Sequence, residues 1–272
     1  MSQGRRTGWS EDESALYRHL AGIAVPDREE QLTALISQVP FRPNDNFFIV
    51  ELACGDGSLA TAMLEVFPKA TMLAMDGSPN MLGAARGRLT GFGRRAEAAP
   101  FDLGSDDWLD RVSGAGCVVS SLAVHHLPDP AKRGLFESVF ERLSPDGALL
   151  IADVIAGSTP QAWHLHADLY DMIAVEQSLS TTGSRDLFMR LEQERWNVFR
   201  YPDPSDMPAT VADQLIWLSD AGFQDVDCWW LKAGHAVFGG YKTAWSGESH
   251  GVPRNGPSYE NALAAVWGAL AD

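Results

Sequence analysis

The stretch Ile49-Val50-Glu51-Leu52-Ala53-Cys54-Gly55-Asp56-Gly57-Ser58-Leu59-Ala60 decides the fold. The apolar run Phe47 to Leu52 predicts a buried parallel strand. A tight turn follows, and the residues to Phe67 predict a helix. Gly55 and Gly57 lack a Cβ, so the backbone turns sharply there and approaches a ligand closely. The helix start adds free N–H groups and a partial positive charge. Strand, glycine turn and helix in this order make a nucleotide-binding turn.

Which nucleotide it binds depends on the acids nearby. Gly55-x-Gly57-x-x-Ala60 fits the dinucleotide fingerprint, with Asp76 near the distance of a ribose-binding acid. Glu51 at the strand end favours a different ligand. A carboxylate there repels a pyrophosphate but suits a cofactor carrying a sulfonium and an ammonium, S-adenosylmethionine (SAM). A third reading is a turn that binds nothing.

The chain has 272 residues, a net charge of −15 and ordinary globular composition, 45% hydrophobic and 21% charged. That length predicts one domain with elaborations. The charge argues against nucleic acid and anionic membrane surfaces, since both need a basic footprint. Cys54, Cys117 and Cys228 are odd in number and far apart, so they predict neither a disulfide framework nor a metal site. With no signal peptide and no long apolar run in view, the expected setting is the cytoplasm.

The chain order gives the topology. Ser10-Glu11-Asp12-Glu13 is a capping box that predicts a first helix, and Pro26 opens a second. Strands are predicted at Phe47–Leu52, Ala70–Met75, Ala96–Phe101, Cys117–Leu122 and Ala148–Ala152. Helices fall between them, at Ser58–Phe67, Pro79–Leu89 and Pro130–Leu143. This alternation means a parallel sheet. Residues 158–220 then read as helix, over Pro160–Leu179, Arg185–Phe199 and Ala209–Ala221. Val226–Leu231 and His235–Tyr241 form a hairpin that makes the last strand antiparallel. The tail 243–258 reads as loop, with a terminal helix over Tyr259–Leu270.

These motifs, in this order, resemble the class I SAM-dependent methyltransferases. Glu51 to Gly57 is similar to the family's first motif, with Ala53 in place of its first glycine, a change tolerable at negative φ. Leu73 to Leu82, Phe101-Asp102-Leu103, Cys117 to Leu127 and Leu143 to Leu150 resemble the later motifs. The hairpin with Ala221-Gly222-Phe223 resembles the last elements. The resemblance implies an α/β, Rossmann-like, seven-stranded, mostly parallel sheet with an antiparallel last strand and a helical lid. It divides the chain into a lid at 1–44, a SAM-binding core at 45–157 and a helical insertion at 158–206. Residues 207–242 complete the core, and 243–272 form a tail. The cofactor is SAM and the product S-adenosylhomocysteine (SAH).

On this resemblance Asp76 grips the ribose hydroxyls, and Asp102 with Leu103 reads the adenine edge. Met81 and Phe101 sandwich the ring. Ala53, Cys54, Gly55, Gly57, Gly77 and Ser78 pass beside the cofactor. Glu51, Ser120 and Ser121 hold its ammonium end, and Tyr17 faces it from the lid, where His19 is the alternative. The first helices have a plainer reading as sheet packing.

The acceptor pocket draws on His125, His126 and His164 as candidate bases, histidine being the side chain that titrates near neutrality. His164, Asp168 and Asp171 share one helix face, and Leu165, Leu169, Met172 and Ile173 form the predicted core stripe. His164–Asp168 has three readings: an oriented base, a metal site or a solvated pair. No third ligand has metal-site spacing, so no metal is predicted. Trp229, Trp230 and His235 are further candidates to line the pocket. The expected reaction is in-line methyl transfer to an oxygen or nitrogen of a small molecule. The alternatives are a non-methyl reaction of SAM, a binding module without catalysis and a nicotinamide oxidoreductase. The sequence leaves the acceptor's identity and the oligomeric state open.

Overall fold

The structure is a computed structural model and describes residues 11–244 and 256–271. Seven strands form one sheet: β1 (Phe48–Leu52), β2 (Thr71–Asp76), β3 (Ala96–Pro100), β4 (Cys117–Ser121), β5 (Ala148–Val154), β6 (Gln224–Lys232) and β7 (His235–Tyr241). Their order is β3-β2-β1-β4-β5-β7-β6. β1 to β5 pair in parallel, and β7 runs antiparallel to both of its neighbours. This is the predicted sheet, with the last strand of the chain reversed. β5 is buried along its whole length because helices cover both faces.

One face packs against α2 (Arg28–Ile36), α3 (Ser58–Val66), α4 (Pro79–Leu89) and α9 (Tyr259–Ala271), with Leu35, Met63, Met72 and Val266 in the core. The other packs against α5 (Asp129–Arg142) and α8 (Val211–Asp220) around Val118, Phe136, Leu218 and Phe238. A third core lies beyond the carboxyl ends of the strands. There α1 (Glu11–Leu20) and the turn after it meet α6 (Pro160–Thr182) and α7 (Asp186–Gln193) around Leu20, Ile23, Tyr170 and Leu191.

Several boundaries differ from the sequence reading. The second helix starts at Arg28 rather than Pro26, because Asp27 is left-handed with φ 48°. α7 stops well short of Phe199, where Arg195 turns left-handed with φ 55° and Trp196 N–H bonds the Leu191 carbonyl. Of the predicted core stripe on α6, Leu169 and Ile173 pack against the third core while Leu165 and Met172 do not. Leu165 and Met172 are 54% and 59% exposed, while Ala167, Tyr170, Ala174 and Ser178 are buried. Small residues on that face let α6 approach closely enough for the Tyr170 hydroxyl to donate to the Ala24 carbonyl at 2.7 Å. The predicted terminal helix is α9. The Ser10 cap and most of the 243–258 tail lie outside the described residues.

Candidate functional site

The turn after β1 takes three left-handed residues in five. Ala53 has φ 57°, Gly55 φ 55° and Gly57 φ 85°. The condition attached to Ala53 is therefore not met, since its φ is positive. An L residue pays about 1–2 kcal/mol for that conformation. The bonds Cys54 N–H to Met75 O (2.8 Å) and Gly57 N–H to Cys54 O (3.0 Å) hold it. Gly57 is closely packed, as a Cβ there would sit 3.1 Å from Ala85 Cα. A Cβ at Gly55 would meet nothing within 4 Å, because Gly55 faces open space.

That space is a cavity of about 1500 Å³ beyond the strand ends, large enough for two ligands. Glu51, Asp76 and Asp102 all line it, as do Ala53, Cys54 and Gly55. Gly77, Ser78, Met81, Phe101 and Leu103 continue the wall, and Ser121 and Tyr17 also line it. Asp76 accepts from Gly55 N–H and Ser78 N–H, both at 2.8 Å, which locks its rotamer. One Asp102 oxygen accepts from Gly104 N–H at 2.8 Å. Glu51 is 1% exposed, and its Oε2 is buried with no hydrogen-bond partner. Burial holds the Glu51 carboxyl well above the usual carboxylate range, with Arg28 opposing and Asp56 and Asp76 adding to the shift. A buried orphan acceptor is costly unless a donor arrives. A cationic ammonium group fits it, and a pyrophosphate does not.

Sequence reasoning missed Arg28. Its Nη1 donates to Ser121 Oγ at 2.7 Å and to Gln31 Oε1 at 2.5 Å, and the guanidinium reaches the cavity beside Glu51. A lone arginine in the first turn of a helix opposes the macrodipole, which was the available signal. Tyr17 stands near it, stacked on Trp196 with ring centroids 6.2 Å apart.

Three predicted residues lie elsewhere. Ser120 is buried between strands, donating to Leu52 O at 3.1 Å. Gly57 closes the turn as the N-cap of α3, against Ala85 and off the cavity wall. His164 is exposed on α6 and off the cavity wall, and its supposed partner Asp168 pairs with Arg200 at 3.1 Å. His19, Trp229 and Trp230 also stand off the wall.

The other end of the cavity gathers imidazoles and carboxylates. His125 and His126 occupy a short 3₁₀ turn after β4. His125 Nδ1 lies 2.5 Å from Asp153 Oδ1, and His125 N–H donates to Asp153 Oδ2 at 2.8 Å. Burial alone would raise the Asp153 pKa, but His125 outweighs it and holds the acid below the ordinary value. His125 Nε2 and His126 Nδ1 lie 3.5 Å and 3.2 Å from the same Asp206 oxygen. Burial works against the His126 imidazolium, yet the bond to Asp206 wins and raises its pKa. His235 also lines the cavity. Its Nδ1 faces the Ala233 carbonyl at 3.1 Å, and burial pushes its pKa down to about 4, so the ring is neutral at physiological pH.

Asp206 comes from a loop tied down by Lys132. This fully buried ammonium donates to Leu127 O at 2.7 Å, to Asp129 Oδ1 at 3.0 Å and to Met207 O at 2.5 Å. Met207 N–H donates in turn to His125 O at 2.8 Å.

Comparison with known proteins agrees with this geometry. Residues 49–147 match the family described as a methyltransferase domain. A carboxy-S-adenosyl-L-methionine synthase of Trichlorobacter lovleyi is 27% identical over 185 residues, 66% of this chain and 69% of its own length. A trans-aconitate 2-methyltransferase of Streptomyces coelicolor is 31% identical over 143 residues, 52% of this chain and 44% of its own. The solved O-methyltransferase family 2 protein of Planctomyces limnophilus, in complex with apigenin, overlays with a TM-score of 0.55 at 21% identity. That overlay covers 88% of this chain and 63% of the other, and it shows the fold. The sheet order and the strand-end acids agree with that match: residues 49–147 carry a methyltransferase domain.

Proposed function

We propose that the protein moves a methyl group from SAM to an oxygen nucleophile of a small molecule. One observation carries this: the strand-end carboxylates Glu51, Asp76 and Asp102 share a single cavity with the imidazole–carboxylate cluster of His125, His126 and Asp206. SAM supplies an electrophilic methyl carbon on a good leaving group. Asp76 holds the ribose hydroxyls and Asp102 the adenine edge. Glu51 takes the ammonium, while Arg28 with Ser121 takes the carboxylate. Met81 and Phe101 flank the ring. The protein's remaining task is positioning, which alone reaches effective molarities on the order of 10⁵–10⁸ M. A hydroxyl nucleophile must also lose its proton, and the histidine cluster is where that charge is handled.

A cavity roofed by Tyr17 and Trp196 suits a small acceptor. The net charge of −15 disfavours RNA or DNA. Three separate free cysteines suit a reducing cytoplasm. No helix among the described residues is long and apolar enough to cross a membrane.

A second reading keeps the cofactor and changes the reaction. The Trichlorobacter relative is named a carboxy-SAM synthase, and Arg190 and Arg195 on the cavity wall would bind a carboxylate. Mass spectrometry of the cofactor after incubation with a metabolite extract separates the two. Methyl transfer gives SAH and a methylated product, whereas carboxylation gives a SAM heavier by CO₂. Calorimetry tests the site itself: Asp76→Ala should weaken SAM binding by about 1–3 kcal/mol, the scale of lost charged hydrogen bonds. Tight NAD(P) binding without SAM binding would overturn the assignment.

A further inference from the structure

We propose that His125, His126 and Asp206 form a binding site for a divalent first-row transition ion, zinc being the reference case, at the acceptor end of the cavity. The ligand set is two imidazoles and one carboxylate, the set such ions take with one or more positions left open. The three ligand atoms lie within 4.8 Å of one another. Tetrahedral bonds of about 2.0–2.1 Å require ligand atoms roughly 3.3–3.4 Å apart. The separations from Asp206 Oδ1 are 3.5 Å to His125 Nε2 and 3.2 Å to His126 Nδ1.

The surroundings are built as metal sites are built. Asp153 sits behind His125 at 2.5 Å on the ring nitrogen facing away from Asp206, which fixes the tautomer and directs Nε2 at the cluster. Lys132 fixes the loop that delivers Asp206 to the turn that delivers the histidines. All three ligand residues line the cavity, so the open position faces the acceptor. Bound there, the ion would hold the acceptor oxygen and stabilise its ionised form, with the proton released to solvent. That role rests on the methyl-transfer reading, but the site does not.

The test needs no knowledge of the acceptor. The full chain, purified through a chelator, is titrated with Co²⁺ and read by visible absorption, then with Zn²⁺ by calorimetry. One ion per chain with a tetrahedral Co²⁺ spectrum that Zn²⁺ displaces is expected. Asp206→Ala and His126→Gln should each weaken binding at least about tenfold, and Asp153→Asn about tenfold through His125. His164→Ala should leave binding unchanged. SAH binding, measured on the same samples, reports whether each variant has folded. Absence of saturable binding, or full affinity in folded Asp206→Ala and His126→Gln, overturns the proposal. Metal binding in a chain that fails to bind SAM would sink the methyl-transfer reading and leave the ion site standing.

Discussion

Glu51 reaches a buried position with one oxygen unpartnered, so the cofactor-free protein carries a carboxyl that resists ionisation. Its folded pKa is raised, so its contribution to stability is present below the ordinary carboxylate value and lost as pH rises through the folded one. An arriving ammonium reverses the preference and favours the charged form. Two outcomes are expected above about pH 4.3, the ordinary glutamate value. SAM affinity should climb with pH until Glu51 is ionised in the free protein, and Glu51→Gln should flatten that climb. Cofactor-free Glu51→Gln should also melt at a higher temperature than the parent near neutral pH. Calorimetry and thermal melts across a pH series check both. At this scale the sequence was partly legible. Acids at strand ends are visible because the strands end at glycine and helix signals. The left-handed φ of Ala53 was not visible, since it depends on the bond from Cys54 to β2.

Lys132 belongs to the scale of elements, because it joins the 3₁₀ turn after β4 to the loop before α8. Replacing it with methionine keeps the stem but leaves the buried Leu127 carbonyl and the part-buried Met207 carbonyl without this donor. With charged hydrogen bonds worth about 1.5–3 kcal/mol each, Lys132→Met should cost on the order of 3 kcal/mol. Urea unfolding measures that loss. Limited proteolysis should show earlier cutting within residues 203–207. The strands and most helices were readable from periodicity and turn residues. The histidine–carboxylate cluster was not, because Asp206 follows His126 by a long detour through α6 and α7, and local spacing carries no information about such a meeting. Helix α6 shows a related limit. Its apolar residues nearly encircle it, so periodicity could not say that Tyr170 faces inward while Leu165 and Met172 face out.

At the scale of the whole molecule, the cavity wall joins segments distant in sequence. Tyr17 on Trp196 and Tyr170 on the Ala24 carbonyl connect the N-terminal helices to the insertion after β5. A ligand touching both should slow opening of the pair. Amide hydrogen exchange with and without SAH is expected to show added protection in Leu16 to Arg28 and Trp196 to Met207. The central strands, already slow, should change little. Equal protection everywhere, or none in these segments, would show that they do not cover the ligand. The strand order has one more consequence, for the chain as it is made. β5 is buried throughout, and its outer partner β7 is nearly ninety residues downstream. Until translation passes Tyr241, the ribosome holds a nascent sheet whose most adhesive border is bare. A premature stop in that interval would release a sticky fragment rather than a merely inactive one.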